Sequence, residues 1–426
     1  MRKALGVDLT PLRVSKEYRR LYVAGLVTSL GAQASYVTMP FQLRQLTHST
    51  LQVGALGLAE LVPLVVCGLY GGILADRLNR RRLIITMEVG LLLVTTLVFL
   101  NALLVHPIVW VLYVAAFFTA AIASLQRPSI EALNQSFVPH QLQRSAAALA
   151  NIRYTVASIS GPAAGGLLAV AFGVQYVYAI NVVTFCASLV LLLRLAKQIA
   201  PVTEAASDRA ALREGVAFLQ GRPDIVGTYV IDILAMVLAY PMAMLPFVAV
   251  RFHEAFALSL LYVGMPFGAL LATLLSKWTR RIHHYGRAVI ASAAVWGLGI
   301  ALFGSASSLL LVLVGLAIAG AADSYSGIFR STMWNESIRP DMRGRTAGTE
   351  MISYSIGPTA GQFRAGVMAS WMTLRLSLTY GGLACTGSVA LVAVALPALW
   401  QFDARSDEHV REVRELRAHE VFDSPS

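Results

Sequence analysis

From Leu21 to the neighbourhood of Trp400 the chain repeats one pattern: a long apolar run, a short polar break, another apolar run. The runs last about 20 residues, the length at which a helix crosses the hydrocarbon of a bilayer. Taken in order they predict twelve spans, at 20–44, 51–75, 83–105, 108–126, 147–171, 174–196, 224–250, 257–276, 287–304, 308–328, 346–370 and 376–400. Some breaks, such as "VHPI" and "SASS", are tiny. The central one, "KQIAPVTEAASDRAALREGVAFLQGRP", opens with a proline soon after its start and then sets Leu212, Val216, Phe218 and Leu219 against charged neighbours. That pattern predicts a linker carrying an interfacial helix. The expected organisation is a six-helix bundle over 1–196, the linker over 197–223, a second six-helix bundle over 224–400 and a cytoplasmic tail over 401–426.

Composition sharpens this to an all-α membrane protein. Of 426 residues 57% are hydrophobic and 13% charged, and the mean hydropathy is +0.65. A soluble domain carries about 25% charged residues, so this inventory cannot build a surface facing water. The opening stretch "MRKALGVDLTPLRVSKEYRR" is polar and basic and leads straight into further spans, so no cleaved leader is expected.

The net charge of +11 raises the possibility of a nucleic-acid partner, and its placement argues against one. With both termini assigned to the cytoplasm, 29 of the 34 Lys and Arg fall in inside segments or at the inner ends of the spans bordering them, while the outside loops hold only Arg44, Arg251 and Arg375. Short basic loops are retained on the cytoplasmic side. The basicity therefore encodes topology, in a plasma (inner) membrane with both termini inside.

Cys67, Cys186 and Cys385 all fall within spans, where a free cysteine serves as a small core residue. His283 and His284 have no third ligand near them in sequence, and no His-Glu-x-x-His or nucleophile–base pairing occurs. The reading expects no metal, no cofactor and no enzymatic chemistry.

The two halves echo each other. "SISGPAAGG", with Gly161, Pro162, Gly165 and Gly166, has a counterpart in "YSIGPTAGQ", with Gly357, Pro358 and Gly361. Each follows a basic, proline-bearing loop, "VPHQLQRSAAAL" and "RPDMRGRTAGTE". Duplicated six-span halves are a hallmark of secondary transporters.

One break is chemically unusual. "GGILADRLNRRR", between spans 2 and 3, places Asp76 beside Arg77 and then Arg80, Arg81 and Arg82. A phosphate cradle would need a lysine followed by Ser or Thr, which the stretch lacks. It resembles instead the Gly-x-Leu-Ala-Asp-Arg-x-Gly-Arg-Arg signature of the major facilitator superfamily, with Asn79 where a glycine is usual. The span 5 stretch "ASISGPAAGG" is similar to the Gly-Pro-x-x-Gly-Gly motif of the superfamily's exporters. "LTHSTLQVG", "GGILADR" and "LNALL" look closest to its enterobactin exporter branch.

The resemblance implies two pseudo-symmetric six-helix bundles that alternate in exposing a central site. It implies a cytoplasmic clamp made by Gly72, Asp76, Arg77, Arg80 and Arg81, with Arg127 as partner of Asp76. It also implies that Gly161, Pro162, Gly165 and Gly166 bend span 5 and let it pack on span 8. The loop between spans 8 and 9, "LLSKWTRRIHHYGR", has no acid corresponding to Asp76, so the clamp is expected to be one-sided.

A charge in hydrocarbon costs at least about 2.5–3.5 kcal/mol, so each one within a span needs a reason. Glu60 lies near the middle of span 2, Asp232 in span 7 and Asp323 in span 10, and these are the proton-coupling candidates. For Glu60 a structural hydrogen bond is the rival reading. Glu88, Arg153 and Glu350, closer to the cytoplasmic interface, suit structural ion pairs; Arg153 is also a substrate-cavity candidate with Gln33, Tyr36, Tyr240 and Tyr325. Arg364 falls toward the outer part of span 11.

The expectation is a monomeric, proton-coupled exporter of amphipathic small molecules, siderophore-like or drug-like. Its partners would be substrate, protons and lipid, without nucleic acid. A lipid or lysolipid transporter of the same fold, or a membrane-embedded sensor or enzyme, are the alternatives.

Overall fold

A computed structural model of the chain describes residues 8–196, 214–215, 217–252 and 256–423, with backbone alone for 69–77, 340–341, 343–345, 347–352 and 417–423. Among these residues every regular element is helical. Helices Lys16–Thr47, Thr50–Arg77, Arg80–Ala102, Val109–Ser136, Gln143–Ala171 and Val174–Leu193 form spans 1 to 6. Span 7 is Pro223–Ala239 continued by Leu245–Val250; spans 8 to 12 are Ala257–Leu274, Tyr285–Ser305, Leu309–Ser337, Pro340–Trp371 and Leu374–Ala395.

Among the described residues ten helices are long and apolar enough to cross a membrane. Spans 1 and 11 fall outside that group. Span 1 is diluted by Thr28, Ser29, Gln33, Ser35 and Tyr36, and part of span 11 has only its backbone described. Each runs for 32 residues, about 48 Å at 1.5 Å per residue, well beyond the hydrocarbon thickness.

Spans 4 and 10 run roughly two and a half to three helical turns past their apolar runs, to Ser136 and Ser337. "QRPSIEALNQS" and "GIFRSTMWNES" hold the poor helix formers Pro128 and Gly327, yet both stay helical to their last residue. A hydropathy boundary and a helix end are different physical events. Arg330, which the apolar pattern assigns to a cytoplasmic loop, is in consequence a buried residue inside span 10.

Local chemistry sets several starts. Asn79 caps span 3, its Oδ1 accepting from the Arg82 N–H at 3.1 Å. Ser15 accepts from Tyr18 N–H at 3.1 Å and Thr373 from Leu376 N–H at 3.3 Å. Such caps satisfy amides that have no partner within the helix.

Contacts divide the chain into two compact units, Met1–Ala205 with Leu245–Val263, and Ala206–Met244 with Gly264–Ser426. In the first, span 1 packs on spans 5 and 6, span 3 on spans 4 and 6, and span 2 on span 4. In the second, span 7 packs on spans 11 and 12, and span 9 on spans 10 and 12; Gly264, Gly268 and Gly320 bring spans 8 and 10 together. Adding six to each span number in the first unit gives the pairing in the second, the three-dimensional form of the internal repeat.

Large apolar side chains such as Leu93, Val183, Leu391 and Val394 lie on the outside of the units, where lipid replaces water as solvent. In the second unit Leu219, Ile225, Tyr229, Trp334 and Ile338 form a core cluster beneath spans 7 and 10. Leu219 is thus a core residue of this unit, with Phe218 packed against the cluster; Leu212 and Val216, the two remaining positions of the expected interfacial helix, lie outside the described residues. The tail over 401–423 also docks on this unit. Helix Glu408–Asp423 buries Val410 and Val413 and pairs Arg414 with Glu336 and Glu412 with Arg339, each at 3.3 Å.

Candidate functional site

The chemistry of the second unit centres on Asp232. It lies midway along the helical part of span 7, 5% exposed. The guanidinium of Arg330, 7% exposed on span 10, meets its Oδ2 at 2.5 Å. Ser353 of span 11 donates to the same oxygen at 3.4 Å. The Arg330 plane approaches the Trp334 ring, 6.0 Å from its centroid; Trp334 in turn donates its indole N–H to Thr228 Oγ1 at 3.0 Å and packs on Tyr229. Arg330 Nε has no acceptor among the described residues.

Asp323 stands seven residues before Arg330 on the same helix, hence on the same face about two turns away. It makes no hydrogen bond or salt bridge among the described residues and lies within electrostatic reach of both Arg330 and Asp232. Two carboxyls therefore share one guanidinium, and Asp232 holds it. A second pair sits at the mouth of span 7, where Arg222 grips Asp224 with two hydrogen bonds at 3.0 and 2.7 Å and donates to the Ser337 carbonyl at 2.9 Å.

In the first unit the isolated carboxyl is Glu60, half-buried in span 2, with no hydrogen bond or salt bridge among the described residues. Glu88 is different. At 2% exposed it accepts from Thr28 Oγ1 and Gln126 Nε2, each at 2.9 Å, so neutral donors of spans 1 and 4 take the place of the expected ion pair. Arg153 likewise lacks a salt-bridge partner among the described residues and lies over the Tyr22 ring at 5.9 Å. The side chain of Glu350 lies outside the described residues.

Arg364 has a structural explanation. Pro241 breaks span 7 and has no N–H to give the Val237 carbonyl four residues earlier. Arg364 Nε donates to that carbonyl at 3.0 Å, and its NH1 lies 3.2 Å from Met368 Sδ. A cation in span 11 thus repairs a hydrogen bond that proline removes from span 7.

The stretch resembling the clamp lies at the inner end of span 2. Gly72, Asp76 and Arg77 are helical, with side chains outside the described residues. Arg80, Arg81 and Arg82 form the first turn of span 3, the helix end that cations disfavour; membrane topology accounts for them better than helix stability. Arg81 reaches the C-terminal end of span 6, donating to the Leu193 carbonyl at 2.7 Å. Arg127 pairs within its own helix, with Glu131 at 3.1 Å, both exposed.

The span 5 glycines divide their work. A Cβ on Gly161 would lie 3.1 Å from the Leu30 carbonyl oxygen, and one on Gly165 2.6 Å from Ala34 Cα, so these two pack on span 1. Gly166 alone meets the start of span 8, where Ser259 Oγ donates to the Ala163 carbonyl at 2.9 Å. The helix runs unbroken through Pro162. In the second unit Gly357 and Gly361 pack on Met236 and Tyr240 of span 7 in the equivalent way. Gln33 and Tyr36 are half-buried on span 1 and Tyr240 stands at the break of span 7; Tyr325 accepts from the Trp278 indole N–H at 3.2 Å.

The apolar pattern picked out Asp232 and Asp323 and missed Arg330, which joins them. The helical continuation from Gly327 to the stop at Pro340 was the available signal: seven residues after Asp323 on an unbroken helix is the same face.

Comparison with known proteins agrees with this architecture. Residues 21–362 match the family described as Major Facilitator Superfamily. The chain is 25% identical over 410 residues to the enterobactin exporter EntS of Citrobacter koseri, covering 94% of this chain and 97% of that one. It is 26% identical over 405 residues to EntS of Escherichia coli O1:K1, covering 93% and 95%. Among solved structures, the nucleoside transporter NupG (D323A mutant) superposes with a TM-score of 0.73 at 14% identity, over 90% of this chain and all of that one. The Escherichia coli xylose transporter XylE, in an inward-open conformation, gives 0.69 at 12%, over 94% and 98%.

Proposed function

The chain belongs to the major facilitator superfamily of membrane transporters, and we propose that within it this protein exports an amphipathic small molecule, siderophore-like or drug-like, in exchange for protons. The relatives named as enterobactin exporters support the direction and the kind of cargo. The observation that carries proton exchange is the charge count around Arg330: one guanidinium faces two carboxyls, and Asp232 already occupies it. The surplus carboxyl, on Asp323, is carried through a low-dielectric region most cheaply with a proton.

Asp323 then takes up a proton when its surroundings are dry and releases it when they are wet, and a carrier needs only such a difference between two states to couple two fluxes. Asp232 remains the fixed counter-charge of Arg330. Glu60 is the corresponding candidate in the first unit. Asp76 and its basic neighbours act as the cytoplasmic clamp, and the protein works as a monomer in the inner membrane with both termini in the cytoplasm.

The test is efflux from cells lacking their own exporters, loaded with a fluorescent amphipathic dye, with and without a protonophore. Export should collapse with the proton gradient. Asp323→Asn should retain dye binding while losing accumulation against a gradient in inverted vesicles. If that variant still concentrates dye and Glu60→Gln does not, the coupling carboxyl is in the first unit; if both still do, proton exchange at these sites is excluded.

A further inference from the structure

The first unit contains a cation whose purpose the proton chemistry leaves open. Arg153 lies ten residues into span 5, about 15 Å along the helix from Gln143. It turns toward span 1, where Gly25 leaves room for it: a Cβ at that position would stand 3.1 Å from Arg153 Cζ and closer still to NH1. Tyr22 places its ring 5.9 Å from the guanidinium carbon, and Tyr18 lies on the same side, 6.2 Å from Tyr22 between ring centres.

Both phenol groups are engaged elsewhere. Tyr18 donates to the Ala146 carbonyl at 3.2 Å and Tyr22 to the Leu149 carbonyl at 3.3 Å, which bolts span 1 to span 5 and fixes the two rings. They present aromatic surface to Arg153 and leave its donors untouched.

Glu60 of this unit forms no salt bridge with Arg153 among the described residues, and four other described acids are engaged elsewhere. Glu17 pairs with Arg20 at 2.7 Å, Glu88 is held by Thr28 and Gln126, and Glu131 pairs with Arg127. Asp8 accepts from Ser145 at 2.7 Å. None of these forms a salt bridge with Arg153. Arg153 is half-buried, and its guanidinium makes no hydrogen bond among the described residues. One turn before Arg153 on span 5, a cavity of about 350 Å³ is lined by Tyr18, Glu131, Ala147 and Ala150 among others, with Glu131 already paired to Arg127.

A guanidinium with five donors, an aromatic face on one side and no counter-ion among the described residues is built to receive an anion. We propose that Arg153, with Tyr22, is the recognition point for the acidic group of a small amphipathic acid, the charged end of the exported substrate. This rests on the transport reading above and narrows its cargo from amphipathic molecules in general to those with an anionic group beside an aromatic or apolar body. The fork of Arg153 takes the acid, and the half-buried Tyr22 ring takes the adjoining apolar surface.

The experiment measures binding of dansylglycine and of its neutral counterpart dansylglycinamide to the purified full-length protein, by fluorescence. Wild type should prefer the acid by about ten- to a hundred-fold, the range of a hydrogen-bonded charge pair. Arg153→Gln should abolish the preference while leaving amide affinity unchanged, which also reports that the variant is folded. Arg153→Lys, a point charge without the fork, should retain part of it. Equal binding of acid and amide by wild type, failure of the acid to bind, or an undiminished preference in Arg153→Gln would each overturn the proposal. Protonophore-sensitive efflux of a neutral dye by the same protein reports on transport separately, so the anion site can fail while the transporter stands.

Discussion

At the scale of single residues, the structure separates charges that hold the protein together from charges that have something left to do. Asp232 and Arg330 are both buried and meet each other, so each is the condition for the other's presence. Removing one partner of a buried pair leaves an uncompensated charge and costs about 3–5 kcal/mol, whereas removing both is often close to neutral. Arg330→Gln and Asp232→Asn should each lower the detergent-solubilised protein's melting temperature sharply. The double variant should lie nearer wild type than Arg330→Gln alone. Additive losses in that cycle would show that the two side chains are independently placed. Glu88, with its two neutral donors, is also satisfied. Asp323, Glu60 and Arg153 are not, and the functional proposals therefore gather on them.

At the scale of helices, what distinguishes this chain is how spans 1 and 7 are held by spans 5 and 11. Glycines at 161, 165, 357 and 361 bring backbones together without side chains between them, the usual basis of close packing where lipid gives no hydrophobic drive. Span 7 carries in addition the break at Pro241, whose orphaned Val237 carbonyl is served by Arg364. Leaving a buried carbonyl unsatisfied costs about 1–3 kcal/mol. Arg364→Met should therefore destabilise the wild-type protein by that order. In a Pro241→Ala background a backbone N–H becomes available to Val237, and the same substitution should cost markedly less. Thermal unfolding of the four proteins decides it; an Arg364→Met penalty of equal size in both backgrounds would mean that Arg364 does not act through this carbonyl.

At the scale of the whole molecule, the distribution of Lys and Arg makes a statement about orientation that labelling can read. In a background with Cys67, Cys186 and Cys385 replaced by Ser, single cysteines at Ser207 and Ser406 should resist impermeant thiol reagents in intact cells. One at Ser307, exposed between spans 9 and 10, should react. The reverse pattern would turn the protein over in the membrane and move the clamp to the other face.

Much of this molecule was legible along one dimension. Apolar length, the side on which arginines accumulate, and the repeated Gly-Pro stretches are properties of segments, and the spans and the helical membrane fold follow from them; the superfamily came from the resemblance of "GGILADRLNRRR" to its signature. Individual acids within the spans could be found the same way, since a carboxyl is conspicuous in an apolar run. Partnership could not. Asp232 and Arg330 sit on different spans, Arg364 answers a proline on another helix, and Arg153 stands out only because no described acid of its unit pairs with it. Hydropathy measures the cost of placing a group in lipid. Whether that cost is offset by a neighbour depends on which helices meet and at what height, and this is decided by packing across the fold.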